Sequence, residues 1–536
     1  MSTLVTFREA GFSVTTVAEA EGPVRLHLLP DPTRALERGE VVKRNVYRAA
    51  GRADVPGLGS LLLKVHRPKG FADVLRAAVR GSRARAEWRA ARYLRGAGIP
   101  TPEPLFVGER RRGLLLEQAA TAVRFLSRRE TFAPALLAQP RDKARALLVR
   151  ASRLVRAMHD RGIAHGDLHS GNVLVGPGPG DRSDLHVIDL HKVRVGCRVS
   201  RRRREENLSQ WLHSLRDVVG PGGRLRAVLA YLGGDAGAAS ARAEARALLA
   251  RLLPRIARRE RVRIRSRSRR CVEEGTQFTK DVGAGRGWRR KDLSVAVIDR
   301  VLADHDRALA TKSAAIAKDG RKSRVTRHGA AVVKETIAPG LLGRLRFLAF
   351  PARLRAGYEN AHRMSVRGVG VAAPLAFVRR DGRVFTLYED LSALPRLDHR
   401  VRAALKTREW SRTRLREAIE ASADLGARMH RRGVWHGDWK GCNWLVEERG
   451  LKIGYRMIDT DRVRFLARVG RSRRLRNLAQ LAASIPVVVS RTDRLRWFRR
   501  YARGTDLEGR AAERAAARDV GTLLAAKTVV VDEPIE

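Results

Sequence analysis

The stretch MHDRGIAHGDLHSGNVLV, residues 158–175, returns as MHRRGVWHGDWKGCNWLV at residues 429–446. Both follow the pattern M-H-x-R-G-x-x-H-G-D-x-x-x-x-N-x-L-V, and the Asp and Asn keep one offset of 271 (438 − 167 and 443 − 172). Working outward, VIDLHKVRV at 187–195 matches MIDTDRVRF at 457–465, and VSRRRREENLSQW at 199–211 matches VGRSRRLRNLAQL at 469–481, each at an offset of 270. Upstream, LLLKVHR at 61–67 faces AVVKETI at 331–337, with Lys334 270 residues after Lys64 and Glu359 272 after Glu87. Chance matches of short motifs do not hold a common offset. The register therefore predicts a duplication, two paired globular domains rather than a solenoid of short repeats. It sets the expected boundaries at 1–257 for the first copy, 258–270 (RRERVRIRSRSRR) for a basic linker, and 271–536 for the second copy.

Each copy reads the same way. Short β-rich runs come first, VVKRNVYRAA and LLLKVHR in copy one. A helix carrying Glu87, Trp88, Ala91 and Leu94 follows and stops at Pro100, Pro102 and Pro104. LLLEQA at 114–119, matched to FTLYEDL at 385–391, reads as a strand. Helices at 144–162 and 417–433 lead into the two HGD motifs, and VLV with LHVID predicts a hairpin across the turn-rich GPGPGDRSD. A strand-rich small lobe before a helical large lobe is an α+β arrangement, here in two tandem bilobal domains.

The polar residues repeat an ordered set. Lys64 and Lys334 lie in apolar strands, and Glu87 and Glu359 on the helices that follow. Asp167 and Asp438 precede Asn172 and Asn443 by five residues, the Asp–Asn spacing of H-R-D-L-x-x-x-N, and Asp189 and Asp459 end apolar strands. Phosphoryl transfer needs these types: a cation on the phosphates, a carboxylate fixing it, hard oxygens for Mg²⁺, and a carboxylate on the accepting hydroxyl. Any one of them alone is an ordinary strand lysine or turn aspartate. Their order, in duplicate, carries the reading, and a duplicated fold without activity is the competing one. His165 and His436 fit a structural role in the loop, and His159 and His430 a packing role.

The chain of 536 residues is long enough for two to four domains, and its 44% hydrophobic content fills globular cores. Neither a membrane-length apolar run nor a secretory pattern in the first thirty residues is present in the sequence. Cys197, Cys271 and Cys442 are scattered, which suggests a reducing, cytoplasmic setting without disulfides. The formal charge of +53 favours polyanionic partners (anionic membrane, phosphorylated glycolipid or nucleic acid), although solvated arginines of a biased composition explain it equally. The basic runs have few interleaved aromatics, so nucleic acid ranks last.

HGDLHSGNVLV and HGDWKGCNWLV, with IDLHKVRV and IDTDRVRF and the Arg-rich RRRREENLSQW and RSRRLRNLAQL, resemble the lipopolysaccharide kinase (Kdo/WaaP) family of the kinase-like superfamily. The resemblance implies an ATP- and Mg²⁺-dependent kinase acting on a sugar hydroxyl of a lipopolysaccharide core, as a cytoplasmic or peripheral protein at the inner face of the inner membrane. Residue by residue it implies Lys64 and Lys334 on ATP phosphates, paired with Glu87 and Glu359. It implies Asp167 and Asp438 as catalytic bases, and Asn172, Asp189, Asn443 and Asp459 on Mg²⁺. The segments around Glu117 and Glu389 would form the adenine-binding hinge. The chain departs from protein kinases in having no G-x-G-x-x-G before either lysine, Gly166 and Gly437 where HRD has arginine, and no A-P-E. Lys43, Arg44, Lys322 and Arg324 could cover the phosphates instead, and Arg201–Arg204, Arg471, Arg473 and Arg474 could face an anionic glycolipid. An atypical protein kinase and a pseudokinase scaffold are the alternatives.

Overall fold

The computed structural model describes residues 3–29, 31–178, 183–234, 237–329, 331–337, 351–450 and 452–526. It forms two compact units, Met1–Arg261 and Val262–Glu536.

Unit 1 begins with strands β1 (Leu4–Glu9), β2 (Phe12–Val17), β3 (Glu40–Asn45), β4 (Arg48–Val55), β5 (Gly59–His66), β6 (Pro104–Arg112) and β7 (Leu115–Arg124). They build one sheet in the order β1-β2-β6-β7-β5-β4-β3, antiparallel throughout. The first two strands, absent from the sequence reading, extend the edge beside β6. Alternation on β5 turns Leu61, Leu63 and Val65 into the core and Lys64 to the other face. Helix α1 (Phe71–Arg80) and helix α2 (Arg83–Gly96) follow β5. Ser82 Oγ caps α2 by accepting from the Arg85 N–H at 3.1 Å. The helical part contains α3 (Arg141–Asp160), α4 (Arg201–Ser214), α5 (Pro221–Leu232) and α6 (Ala239–Ser268). Between them lie β8 (Glu130–Thr131), β9 (Ala164–His165), β10 (Val173–Pro177), β11 (Ser183–Val187) and β12 (Val193–Arg194). The expected hairpin is β10–β11, whose loop positions 179–182 lie outside the described residues.

Unit 2 has β13 (Phe278–Thr279), β14 (Arg286–Arg290), β15 (Ile316–Gly320), β16 (Ser323–His328), β17 (Ala331–Thr336), β18 (Pro374–Arg380) and β19 (Arg383–Glu389). Their order, β13-β14-β18-β19-β17-β16-β15, repeats that of unit 1, again antiparallel. Its helices include α7 (Val295–Ala310), α8 (Ala356–Val366), α9 (Arg412–Arg431), α10 (Arg471–Ser484), α11 (Arg491–Ala502) and α12 (Arg510–Ala525). Strands β20 (Val434–His436), β21 (Trp444–Arg449), β22 (Lys452–Met457) and β23 (Val463–Phe465) complete it.

Two expectations are corrected. Residues 258–268, read as a linker, are the last turns of α6, because Leu248, Leu252 and Ile256 bury one stripe of that helix. The hinge segment of unit 1 is also misplaced. Opposite Leu61, three residues before Lys64, the ladder sets Arg124, whereas Glu389 lies opposite Ala331, three before Lys334. Arg124, not Glu117, is thus the counterpart of Glu389, and its N–H donates to Glu103 O as the Glu389 N–H donates to Ala373 O. Glu117 is exposed near the far end of β7.

Candidate functional site

In unit 1, Lys64 projects from β5 onto Glu87 of α2, and the two form a buried ion pair. The second carboxylate oxygen of Glu87 is buried without a protein partner. Asp167 and Asn172 flank a short turn after β9, where Asn172 Nδ2 donates to Asp167 O at 2.9 Å. The Ile188 N–H donates to Asn172 O at 3.0 Å, so the loop is tied to the strand that delivers Asp189. Asp189 has left-handed backbone angles (φ 59°, ψ 57°), a conformation costly for a non-glycine residue. Its carboxylate accepts from His191 Nδ1 at 2.8 Å and lies 3.9 Å from Arg48. The His191 hydrogen bond, with Lys64 and Arg48 nearby, holds it well below the usual carboxylate range.

The turn into this loop requires Gly162 (φ 73°) and, in unit 2, Gly433 (φ 71°). A Cβ at Gly433 would stand 2.0 Å from Leu466 O.

Unit 2 repeats the loop, with Asn443 Nδ2 donating to Asp438 O at 2.9 Å and Asp459 again left-handed (φ 55°, ψ 66°). The lysine differs. Lys334 Nζ lies 3.1 Å from Asp459 and 2.6 Å from Asp461, while Glu359 pairs with Arg355 and, at 2.5 Å, with Arg363. The expected Lys334–Glu359 pair is therefore not formed. Asp461 stands where unit 1 has His191, which offers no second carboxylate to Lys64. Gly357 lets it in, since a Cβ there would meet Asp461 Oδ1 at 2.2 Å. Burial acts downward on Lys334, but Asp461 and Asp459 outweigh it and hold the ammonium well above its ordinary value. A cleft of about 540 Å³ opens here, lined by Lys334, Ala372, Glu389, Leu445, Met457 and Asp459.

Two lysines escaped the sequence reading. Lys192 Nζ lies 3.1 Å from Asp167 Oδ2, and Lys440 Nζ 3.7 Å from Asp438 Oδ1. They come from different positions, after Asp189 in one unit and two residues after Asp438 in the other, so alignment of the copies hides them. Asn207 was also missed, although it matches Asn477 at the common offset. Asn207 Oδ1 accepts from the His165 N–H at 3.0 Å, and Nδ2 donates to His165 O at 2.8 Å. Asn477 Nδ2 donates to His436 O at 2.7 Å. These asparagines clamp the strand preceding each Asp.

The histidines are packing groups. His165 Nδ1 and His436 Nδ1 each accept the N–H of the aspartate two residues on, at 3.1 Å. His159 spans Asn207 Oδ1 at 3.1 Å and the Tyr231 hydroxyl at 2.9 Å, and His430 spans Asn477 and Tyr501 at 3.0 and 2.6 Å. Burial pushes His159 and His430 down to about 4. A folded value below the unfolded 6.5 means that the unfolded chain takes up protons first as the pH falls. The stabilisation is complete above pH 6.5 and is lost between 6.5 and 4. Urea unfolding should thus lose about 2 kcal/mol per histidine between pH 7.5 and 5. A flat profile would contradict buried neutral rings.

Most arginines offered as ligand contacts are already engaged. Arg44 pairs with Glu37, Arg324 with Asp319, Arg204 with Asp160, Arg471 with Asp519, and Arg474 with Asp506. The side chain of Lys43 lies outside those described. Cys271 is buried and Cys197 exposed.

Lys334 and Asp459 line the cleft of unit 2, Lys64 lies near enough to Asp189 to help depress it, and the backbone carbonyls of Asn172 and Asn443 are each tied to the strand that delivers the second aspartate. Each unit thus holds a strand cation and hard oxygens of the kind that suit phosphates and a divalent ion. The sequence matches the model of the lipopolysaccharide kinase (Kdo/WaaP) family over residues 34–226 and 345–501. The chain belongs to that family and is a kinase, which implies ATP as phosphate donor. It is 29% identical over 206 residues to the lipopolysaccharide core heptose(I) kinase WaaP of Pseudomonas aeruginosa, covering 35% of this chain and 75% of the relative. It is 28% identical over 187 residues to the same-named kinase of Escherichia coli K12, covering 32% and 68%. A solved structure of WaaP in complex with acyl carrier protein matches at 25% identity and TM-score 0.35, over 44% of this chain and 96% of that one. No helix among the described residues is long and apolar enough to cross a membrane.

Proposed function

We propose that the chain is a tandem pair of kinase-like bilobal domains that transfers the γ-phosphate of ATP to a sugar hydroxyl of a lipopolysaccharide core or related anionic glycolipid. The observation that carries the mechanism is the buried Lys64–Glu87 pair beside Asp189. Glu87 fixes the ammonium of Lys64, which meets the ATP phosphates. Asp167 orients the accepting hydroxyl and takes its proton on a carboxylate oxygen. Lys192, against that carboxylate, steadies the phosphoryl group in transit. Asn172 and Asp189, and in unit 2 Asn443 and Asp459, fit Mg²⁺ by their hard oxygens: Asn172 spends its amide nitrogen on Asp167 O, and Asp189 is held ionised. A bound Mg²⁺ would neutralise phosphate charge. The acceptor class rests on the names of the curated relatives and the absence of A-P-E from the sequence.

The capture of Lys334 by Asp459 and Asp461 favours a second reading for unit 2 alone, a copy that binds or regulates rather than turns over. The test is transfer of labelled γ-phosphate to lipopolysaccharide core, to a generic protein and to no acceptor. Label is expected on the glycolipid, and Asp438→Asn should keep the greater part of it. Label on protein alone would sink the sugar reading.

A further inference from the structure

Helix α1 is built the wrong way round for a helix on a soluble surface. Phe71, Leu75 and Val79 recur every four residues and are 79%, 55% and 77% exposed. The inward side presents Ala77, which is buried, and half-buried Asp73 and Val74. Asp73 and the exposed Arg76 line a cleft of about 200 Å³ with Arg48, His66 and Lys69. The outward stripe does not end with the helix. Arg111 donates from Nη2 to Ala77 O and from Nη1 to Leu114 O, which joins α1 to the β6–β7 turn. That turn exposes Leu114 and Leu115, by 77% and 51%. Five large apolar side chains, each more than half exposed, thus share one edge of unit 1.

The charge around this edge selects its occupant. Residues 66–85 contain six lysines and arginines and one acid, Asp73. Asp73 already pairs with Arg76 and lies 3.8 Å from Arg83. Arg67 and Lys69, just before the helix, are exposed. An apolar stripe flanked by cations is the composition of a helix lying in a bilayer interface, with apolar side chains among the acyl chains and cations at anionic headgroups. A protein partner would need matching acids and a matching groove, whereas a lipid surface supplies negative charge and apolar depth together.

We infer that α1 and the Leu114–Leu115 turn form a docking edge for an anionic lipid bilayer. The edge adjoins the Lys64–Glu87 pair through β5 and α2, so docking sets the candidate phosphate-transfer residues of unit 1 near the membrane surface. This goes beyond the kinase reading and does not depend on it, because vesicle binding and phosphate transfer are measured separately.

The test compares the full chain with Phe71→Ser/Val79→Ser/Leu114→Ser, whose formal charge is unchanged. Both are sedimented with phosphatidylcholine vesicles with and without phosphatidylglycerol, at low and high salt. Wild type is expected on the phosphatidylglycerol vesicles, and the variant to bind about ten-fold more weakly, with equal ATP turnover. If the variant fails to fold, Phe71→Ser alone carries the comparison, being almost free of contacts. Equal vesicle binding by wild type and variant overturns the inference. So does self-association of wild type that the variant abolishes while vesicle binding stays, since the edge would then join two copies.

Discussion

Asp167→Asn is expected to lower sugar phosphorylation about 1000-fold when made in a chain already carrying Asp438→Asn. The substitution keeps the side-chain volume and removes the carboxylate that accepts the hydroxyl proton. The fold should not notice. Asp167 is half-exposed, its ion pair with Lys192 is at the surface, and the hydrogen bond it accepts from Asn172 uses its backbone carbonyl. The affinity for ATP should stay near wild type, so the loss belongs in kcat rather than KM. Stopped-time assays with labelled ATP read this directly. A double variant with wild-type turnover would mean that neither carboxylate acts as base.

Lys64→Met should cost both stability and activity. Lys64 and Glu87 are 9% and 6% exposed, and the substitution strands an ionised carboxylate in that environment. Breaking such a pair costs about 3–5 kcal/mol, which unit 1 would show as an earlier unfolding transition. Adding Glu87→Gln should return much of the stability, because the uncompensated charge is gone. It should return none of the transfer, because the phosphates still lack their cation. A double-mutant cycle in calorimetry, run beside the turnover assay, separates the two effects. Stability restored together with activity would show that Lys64 serves only the fold.

The sequence was most informative where chemistry and geometry share one local segment. The Asp–Asn loop is five residues long, so its spacing alone dictates that the asparagine can reach the aspartate carbonyl. The strand placement of Lys64 follows equally from alternation, since Leu61, Leu63 and Val65 claim the other face. Legibility failed where position depends on a partner strand. LLLEQA resembles FTLYEDL as text, but the ladder pairs Thr121 with Lys64 and Thr386 with Lys334, which moves the hinge counterpart to Arg124. It failed again where one side chain decides between partners. The exchange of His191 for Asp461 gives Lys334 a closer carboxylate than Glu359, and no spacing rule announces it. Lys192 and Lys440 reach equivalent carboxylates from unrelated positions, which a search by common offset discards by construction.

Helix α6 has a consequence for anyone wishing to express the halves separately. It runs unbroken through residues 258–268 and stops just short of the point where the text of the chain starts again. Its later turns serve unit 1 through Arg259, which donates to Ser209 at 3.0 Å, and Glu260, which meets His213 at 2.8 Å. A few residues on, Arg263 donates to Val366 O, and Arg267 O accepts from His362, both inside unit 2. A cut at 257 orphans the first pair of contacts, and a start at 271 orphans the second. The period of the sequence and the seam of the molecule are different places, and a clean dissection would have to let both fragments keep the same helix.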